Sequence, residues 1–255
     1  MTHSFTHSAL ARALRDREAI LHTAAILAEA GKYEQLSNIL HPYVKENHVK
    51  IKQTNNIEVD LSKGFNRKNL VLIQRYLNHM PRQVSSQSSN RRASVVIPLC
   101  NVNGVASILF EKRSNKVRTH KQQVCFPGGM VDTEVDSTII ETSLREMEEE
   151  LGIPAAKTEI LGILRCNWNE VSSLTGIAVT PVVGYIGDLN DLTNLIPNPD
   201  EVEQLFTVPM DALVDSNNWI IKDFVTPVFT GGEHKIWGLT AYLLDRFVKL
   251  VNKTN

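Results

Sequence analysis

Apolar residues return at helical spacing in three stretches of the first third of the chain. SALARALRDREAILHTAAILAEA (8–30) carries them on one face and stops before Gly31. YEQLSNILHPYV (33–44) and RKNLVLIQRYLNHM (67–80) repeat the pattern, and Pro81 ends the third helix. RQVSSQSSNRR (82–92) then has almost no apolar residue and reads as a linker. Beyond it the period changes. ASVVIPLC (93–100) and ASILFEKR (106–113) are strand-like, and Asn103-Gly104 between them predicts a hairpin turn. Residues 129–137 read as a loop. Thr138 and Glu141 form a T-x-x-E capping signal, so a helix starts there; Gly152 closes it and Pro154 blocks continuation. Further strands are expected over 160–168 and 178–187, a short helical turn over 209–213, and a final amphipathic helix over 236–251. Strands mixed with helices define an α/β (α+β) class, preceded by an all-helical piece. The predicted division is residues 1–81, a linker at 82–92, and a domain at 93–255.

Charge supports two different surfaces. Residues 1–93 hold 14 Lys and Arg against 7 Asp and Glu, and the remainder holds 13 against 21. The basic part has no Lys/Arg run with interleaved aromatics, so nucleic-acid binding is a weak option, well behind an ordinary solvated surface. An odd count of three cysteines (100, 125 and 166), without a C-x-x-C pair, argues against a disulfide framework. No run of about 18 apolar residues predicts a membrane span. The N-terminus lacks a secretory apolar core. MTHSFTHSALARALR is acid-free with two arginines, a composition compatible with a mitochondrial transit peptide. The ending VNKTN is not a peroxisomal signal. Cytosol and mitochondrion both stay open.

The candidate chemistry sits on the capped helix. Glu146, Glu149 and Glu150 share a face at i, i+3 and i+4, and only Arg145 offers local neutralisation. Ile140, Leu144, Met147 and Leu151 form the opposing stripe, so the helix is expected to pack on a core and turn its acids outward. Such an acid face is either solvated or holds a hard cation such as Mg²⁺. The glycine pair Gly128-Gly129 in front of it favours the second reading, because it lets backbone approach a ligand closely.

These residues resemble a known family. REMEEELGI (145–153) is similar to the R-E-U-x-E-E-x-G-U core of the Nudix box, the signature of hydrolases that cleave a nucleoside diphosphate linked to another group. LFEKRSNKVRTHKQQVCFPGG (109–129) resembles the R-S-x3-R…F-P-G-G motif of the coenzyme A diphosphatase subgroup. VTPVVGYIG (179–187), NPDEVEQLFTVPMDAL (198–213) and IWGLTAYLL (236–244) extend the likeness over about 93–250. The resemblance implies a mixed β-sheet sandwiched between helices. The N-terminal helical extension itself comes from the apolar spacing, because the resemblance does not cover residues 1–92. The resemblance implies Mg²⁺ or Mn²⁺ held by Glu146, Glu150 and Glu149, with Glu149 and Arg145 in catalytic roles. It implies substrate binding by Arg113, Arg118, Lys121, Gly128 and Gly129, with Lys112 in the same basic segment. That segment could equally be a plain basic surface.

The implied reaction splits coenzyme A or an acyl derivative into 3′,5′-ADP and 4′-phosphopantetheine. Alternatives are NADH or ADP-ribose as substrate, or a non-catalytic nucleotide-binding module. Two departures matter. Gly129 to Arg145 spans sixteen positions, two more than the family's box, and no glutamate stands in register within it. Asp132 and Asp136 are the stand-ins for the loop acid and its metal role. Gln122 replaces a usual glycine. Glu170 is one candidate general base. The helical extension could pair two copies into a homodimer, cover the active site or dock a partner. Deleting residues 1–90 is expected to leave an active domain.

Overall fold

The computed structural model describes residues 59–80, 91–166, 176–222 and 226–252. The chain divides between Ile57 and Glu58, and every described residue belongs to the second unit. The helices expected over 8–30 and 33–44, most of the 82–92 linker and Glu170 lie outside the described residues.

Strand β1 (Arg92–Val102) and strand β2 (Val105–Arg113) form the expected hairpin, with Leu99 opposite Ile108 and Val102 opposite Val105. They then splay apart. β2 takes up β3 (Val124–Cys125), while β1 takes up β4 (Gly128–Met130). The FPGG segment therefore fills a fork between the two strands. β6 (Ala178–Leu189) runs parallel to β1 on its other side, and β5 (Glu159–Ile163) pairs antiparallel with β6. β7 (Val202–Pro209) pairs antiparallel with β2. A small separate ribbon joins β8 (Trp219–Ile220) to β9 (Val228–Phe229).

Side-chain alternation sends β1 and β2 residues to two cores. Ile97, Leu99, Ala106, Ile108 and Phe110 face one side. There they meet helix α1 (Arg67–His79) and the C-terminal helix α4 (Gly238–Val251). Val96, Cys100 and Leu109 face the other side and meet Met147 and Leu151 of helix α2 (Ile139–Leu151). The mixed sheet is thus sandwiched between helices, as expected. A one-turn helix α3 (Met210–Val214) follows β7.

The boundary at 82–92 needs correction. α1 is part of the sheet domain's own core: Leu70, Ile73 and Leu77 are buried in one cluster with Ile97, Phe110 and Leu244. The segment before it is also stitched in. Buried Asn69 donates to the carbonyls of Asp60 and Gly64, and Asn101 of β1 accepts from the Phe65 amide at 2.7 Å. The sequence hid this because an amphipathic helix looks alike whether its apolar stripe meets a neighbour helix or a sheet. Strands β3, β4, β7, β8 and β9 were also not expected. Most are too short for a period to register, and β7 has a half-buried, interrupted pattern.

A chain starting at residue 91 would expose the surface that α1 covers. Ile73→Ala in the full chain is predicted to cost about 2–5 kcal/mol in chemical denaturation. A chain starting at residue 91 should not give a soluble, cooperatively unfolding product. Full cooperativity in that truncation would show that α1 is an appendage after all.

Candidate active site

α2 begins as its sequence predicts. Thr138 Oγ1 accepts from the Glu141 amide, and the Glu141 carboxylate accepts from the Thr138 amide. Fixing this start fixes the rotation of the acids one to three turns later. They do not all face outward. Glu150 is 3% exposed and points into the sheet, where its Oε2 accepts from the Gly128 amide at 2.8 Å. Glu146 is mostly covered, Glu149 is open to solvent, and Glu148 is exposed and accepts from the Ala155 amide.

The two glycines make room for these acids. A Cβ on Gly129 would lie 2.4 Å from the Glu146 carboxylate. A Cβ on Gly128 would meet the Ser94 carbonyl at 2.2 Å, and its φ of +153° is one that L side chains rarely adopt. Phe126 holds the pair in place by stacking on Phe110, with ring centroids 5.0 Å apart. The Val96 amide also donates to the Pro127 carbonyl.

Arg145 organises the loop side. Its Nε and Nη2 grip Asp136 at 2.9 and 3.0 Å, a bidentate pair. Nη1 lies 2.9 Å from Glu146 and 3.1 Å from Glu149. The hydrogen bonds from Arg145 hold the Asp136 carboxyl well below the usual range. Asp136 is therefore engaged as the anchor of Arg145, and the lengthened loop delivers it there. Asp132 caps the loop's own turn, accepting from the Glu134 amide at 3.0 Å.

Beneath Glu150 lies a group that the sequence reading missed. Glu111 of β2 is completely buried on the α2 side. Cys125 donates its thiol to Glu111 Oε1 at 3.1 Å, and Arg113 Nη1 is 3.6 Å from both Glu111 and Glu150. Glu111 Oε2 has no hydrogen-bond partner. The signal was present, since Glu111 shares the parity of Leu109 and so occupies an inward position. Burial, with Glu111 beside it, pushes the Glu150 carboxyl up to about 9. Burial likewise pushes Glu111 up to about 7, partly offset by the Cys125 hydrogen bond. Glu146 is also raised, first by burial.

Close-set carboxylates with raised affinity for protons, and one orphaned buried oxygen, fit a hard cation held by oxygen ligands. Among the described residues, no three His, Cys, Asp or Glu side chains are grouped so that they could hold a metal ion as they stand. Arg145 pairs with both Glu146 and Glu149.

The basic segment divides. Lys112 pairs with Glu203 at 2.7 Å, Lys116 with Asp200 at 2.8 Å, and Arg113 turns inward to the glutamates. Arg118 and Lys121 are exposed and form no ion pair among the described residues. Gln122 takes φ +62°, the left-handed region that favours glycine. Its side chain is tied to Glu203.

A forked sheet, a glycine pair under an R-E-x-x-E-E helix and an anchored arginine define a phosphoanhydride hydrolase of the Nudix class. Residues 90–227 match the NUDIX domain family, and the chain belongs to it. Nudix hydrolase 3 of Caenorhabditis elegans is 35% identical over 192 residues, covering 68% of this chain and 78% of that protein. The mitochondrial coenzyme A diphosphatase NUDT8 of Mus musculus is 36% identical over 168 residues, covering 62% and 77%. An uncharacterised Nudix hydrolase NudL of Pectobacterium atrosepticum is 38% identical over 181 residues, covering 68% and 90%. Nudix hydrolases generally use divalent metal ions and act on nucleotide substrates. Among the described residues, no helix is long and apolar enough to cross a membrane.

The raised carboxyls have a sign. A carboxyl whose folded pKa is raised stabilises the fold most when protonated. That contribution is lost as pH climbs from the unfolded value of 4.5 through about 9 for Glu150. In a chelator buffer, Glu150→Gln should therefore unfold at higher temperature than wild type at pH 8, by about 2–4 °C per kcal/mol relieved. The difference should vanish near pH 5. A thermal scan showing Glu150→Gln less stable at pH 8 would contradict the burial account.

Proposed function

We propose that this chain hydrolyses the pyrophosphate bond of coenzyme A or an acyl-coenzyme A. Water adds across the P–O–P linkage, giving 3′,5′-ADP and (acyl-)4′-phosphopantetheine. The carrying observation is the 36% identity to the mouse mitochondrial coenzyme A diphosphatase over 168 residues. Arg118 and Lys121, without an ion pair among the described residues, suit a substrate with several phosphate charges.

In this reading Glu146, Glu150 and Glu149 hold Mg²⁺ or Mn²⁺. Bound there, the ion supplies charge neutralisation on phosphate oxygens and lowers the pKa of a water. Arg145 holds Glu146 and Glu149 in place and is itself aimed by Asp136. Glu149, the exposed member, orients the attacking water in this reading. Arg113 offsets the charge of Glu150 from below. Gly128 and Gly129 bring the backbone close without side chains in the way. The general base is unassigned, and Glu170 lies outside the described residues. All helix carboxylates are present, so a non-catalytic binding module has no support. A mitochondrial site of action is the proposed compartment, supported by the relatives' names and the acid-free N-terminus.

Product analysis tests this directly. Purified full chain with Mg²⁺ should release 3′,5′-ADP from coenzyme A and turn over NADH and ADP-ribose much more slowly. Glu146→Gln should lower kcat by about a hundredfold or more, the scale of a lost preorganised charge. Preferential cleavage of NADH or ADP-ribose would replace the substrate assignment.

A further inference from the structure

A second cationic site lies at the end of the sheet where β1 pairs with β6, two residues along β1 from the pairing of Ser94 with Gly129. The N-terminal ends of β1 and β6, the residues after β5 and the first residue of α2 meet there. The result is a cleft of about 280 Å³. Arg92 and Arg165 line it, with Ile139, Ile163, Cys166 and Val179 as mostly apolar walls. That volume is just below the ~300–1,000 Å³ of typical ligand pockets, so the cleft suits one group of a substrate, not all of it.

Its charge is unspent. Neither arginine forms an ion pair among the described residues. Arg165 Nε is buried without a hydrogen-bond partner. A buried donor of this kind is costly unless something accepts from it. The lining holds no carboxylate to do so. Two guanidinium groups facing one small cleft match a dianionic phosphate monoester, which offers several acceptor oxygens to such forks.

The cleft's position selects which phosphate. Ile139, on its wall, is in the first turn of α2, seven residues before Glu146. At about 1.5 Å per residue, that is about 10 Å along the helix. The wall at Ile139 is thus offset along α2 from Glu146 and Glu150, which puts the cleft within reach of another group on the same ligand. Coenzyme A carries such a group, a 3′-phosphate on the ribose. NADH and ADP-ribose carry none. We propose that the Arg92–Arg165 cleft binds the 3′-phosphate monoester of the substrate and so sets its specificity. The identity of the phosphate-bearing ligand rests on the coenzyme A reading above; the anion site itself does not.

Calorimetric titration of the full chain tests it, using adenosine 3′,5′-bisphosphate and adenosine 5′-monophosphate as probes. Wild type should bind the bisphosphate at least tenfold more tightly. Arg165→Gln and Arg92→Gln should each remove most of that preference and leave the monophosphate affinity within about twofold. Arg92 is exposed, so its variant keeps the fold even if Arg165→Gln does not. An Arg118→Ala/Lys121→Ala variant should retain the preference. The proposal is overturned if wild type shows no preference, if both arginine variants retain it, or if only the Arg118/Lys121 variant loses it. Should the arginines control the preference while coenzyme A is not cleaved, the cleft assignment stands and the substrate reading fails.

Discussion

One backbone hydrogen bond sets the geometry of this protein's centre. The Gly128 amide donates to a Glu150 carboxylate that is almost wholly inside the protein. For that contact to exist, β1 and β2 must separate and admit FPGG, and α2 must lie across the opening. The apolar side of α2, Met147 and Leu151 on Val96, Cys100 and Leu109, presses the helix into this position. The apolar core thus holds in place an arrangement that electrostatics alone would oppose. Glu111 and Glu150 are both buried, and among the described residues Arg113 is the cation that pairs with them.

The outer layer of the site follows a different rule. Asp136 and Arg145 form a bidentate pair at the edge, and the guanidinium then reaches two glutamates of its own helix. The loop leaves β1 after Val131, whose amide donates to the Arg92 carbonyl, and ends by delivering Asp136 to Arg145. Asp132 absorbs the extra length in a local turn, with the Asp136 amide donating to its carbonyl at 2.7 Å.

Much of this was legible in the residues. The hairpin around Asn103-Gly104, the capping box at Thr138 and the ends of α2 follow from local chemistry, and local chemistry is what a sequence displays. The direction of Glu150 was not legible, because helical spacing groups it with Glu146 and Glu149 and says nothing of which faces the sheet. Glu111 could have been found as a charged residue at an inward strand position. The membership of α1 in the sheet domain was hidden for a further reason. Its partners Ile97, Phe110 and Leu244 lie far along the chain, and a polar stretch at 82–92 intervenes. The basic segment showed its charge in the sequence but not its pairing, which takes up Lys112, Arg113 and Lys116 and leaves Arg118 and Lys121.

The central claim is that buried carboxylates on α2 form a seat for a divalent cation. Electron paramagnetic resonance of free Mn²⁺ titrated into the chelator-stripped full chain at neutral pH measures this without any substrate. The account predicts saturable uptake by wild type and at least tenfold weaker uptake by Glu150→Gln and by Glu146→Gln. Equal Mn²⁺ uptake by wild type and both variants would contradict it.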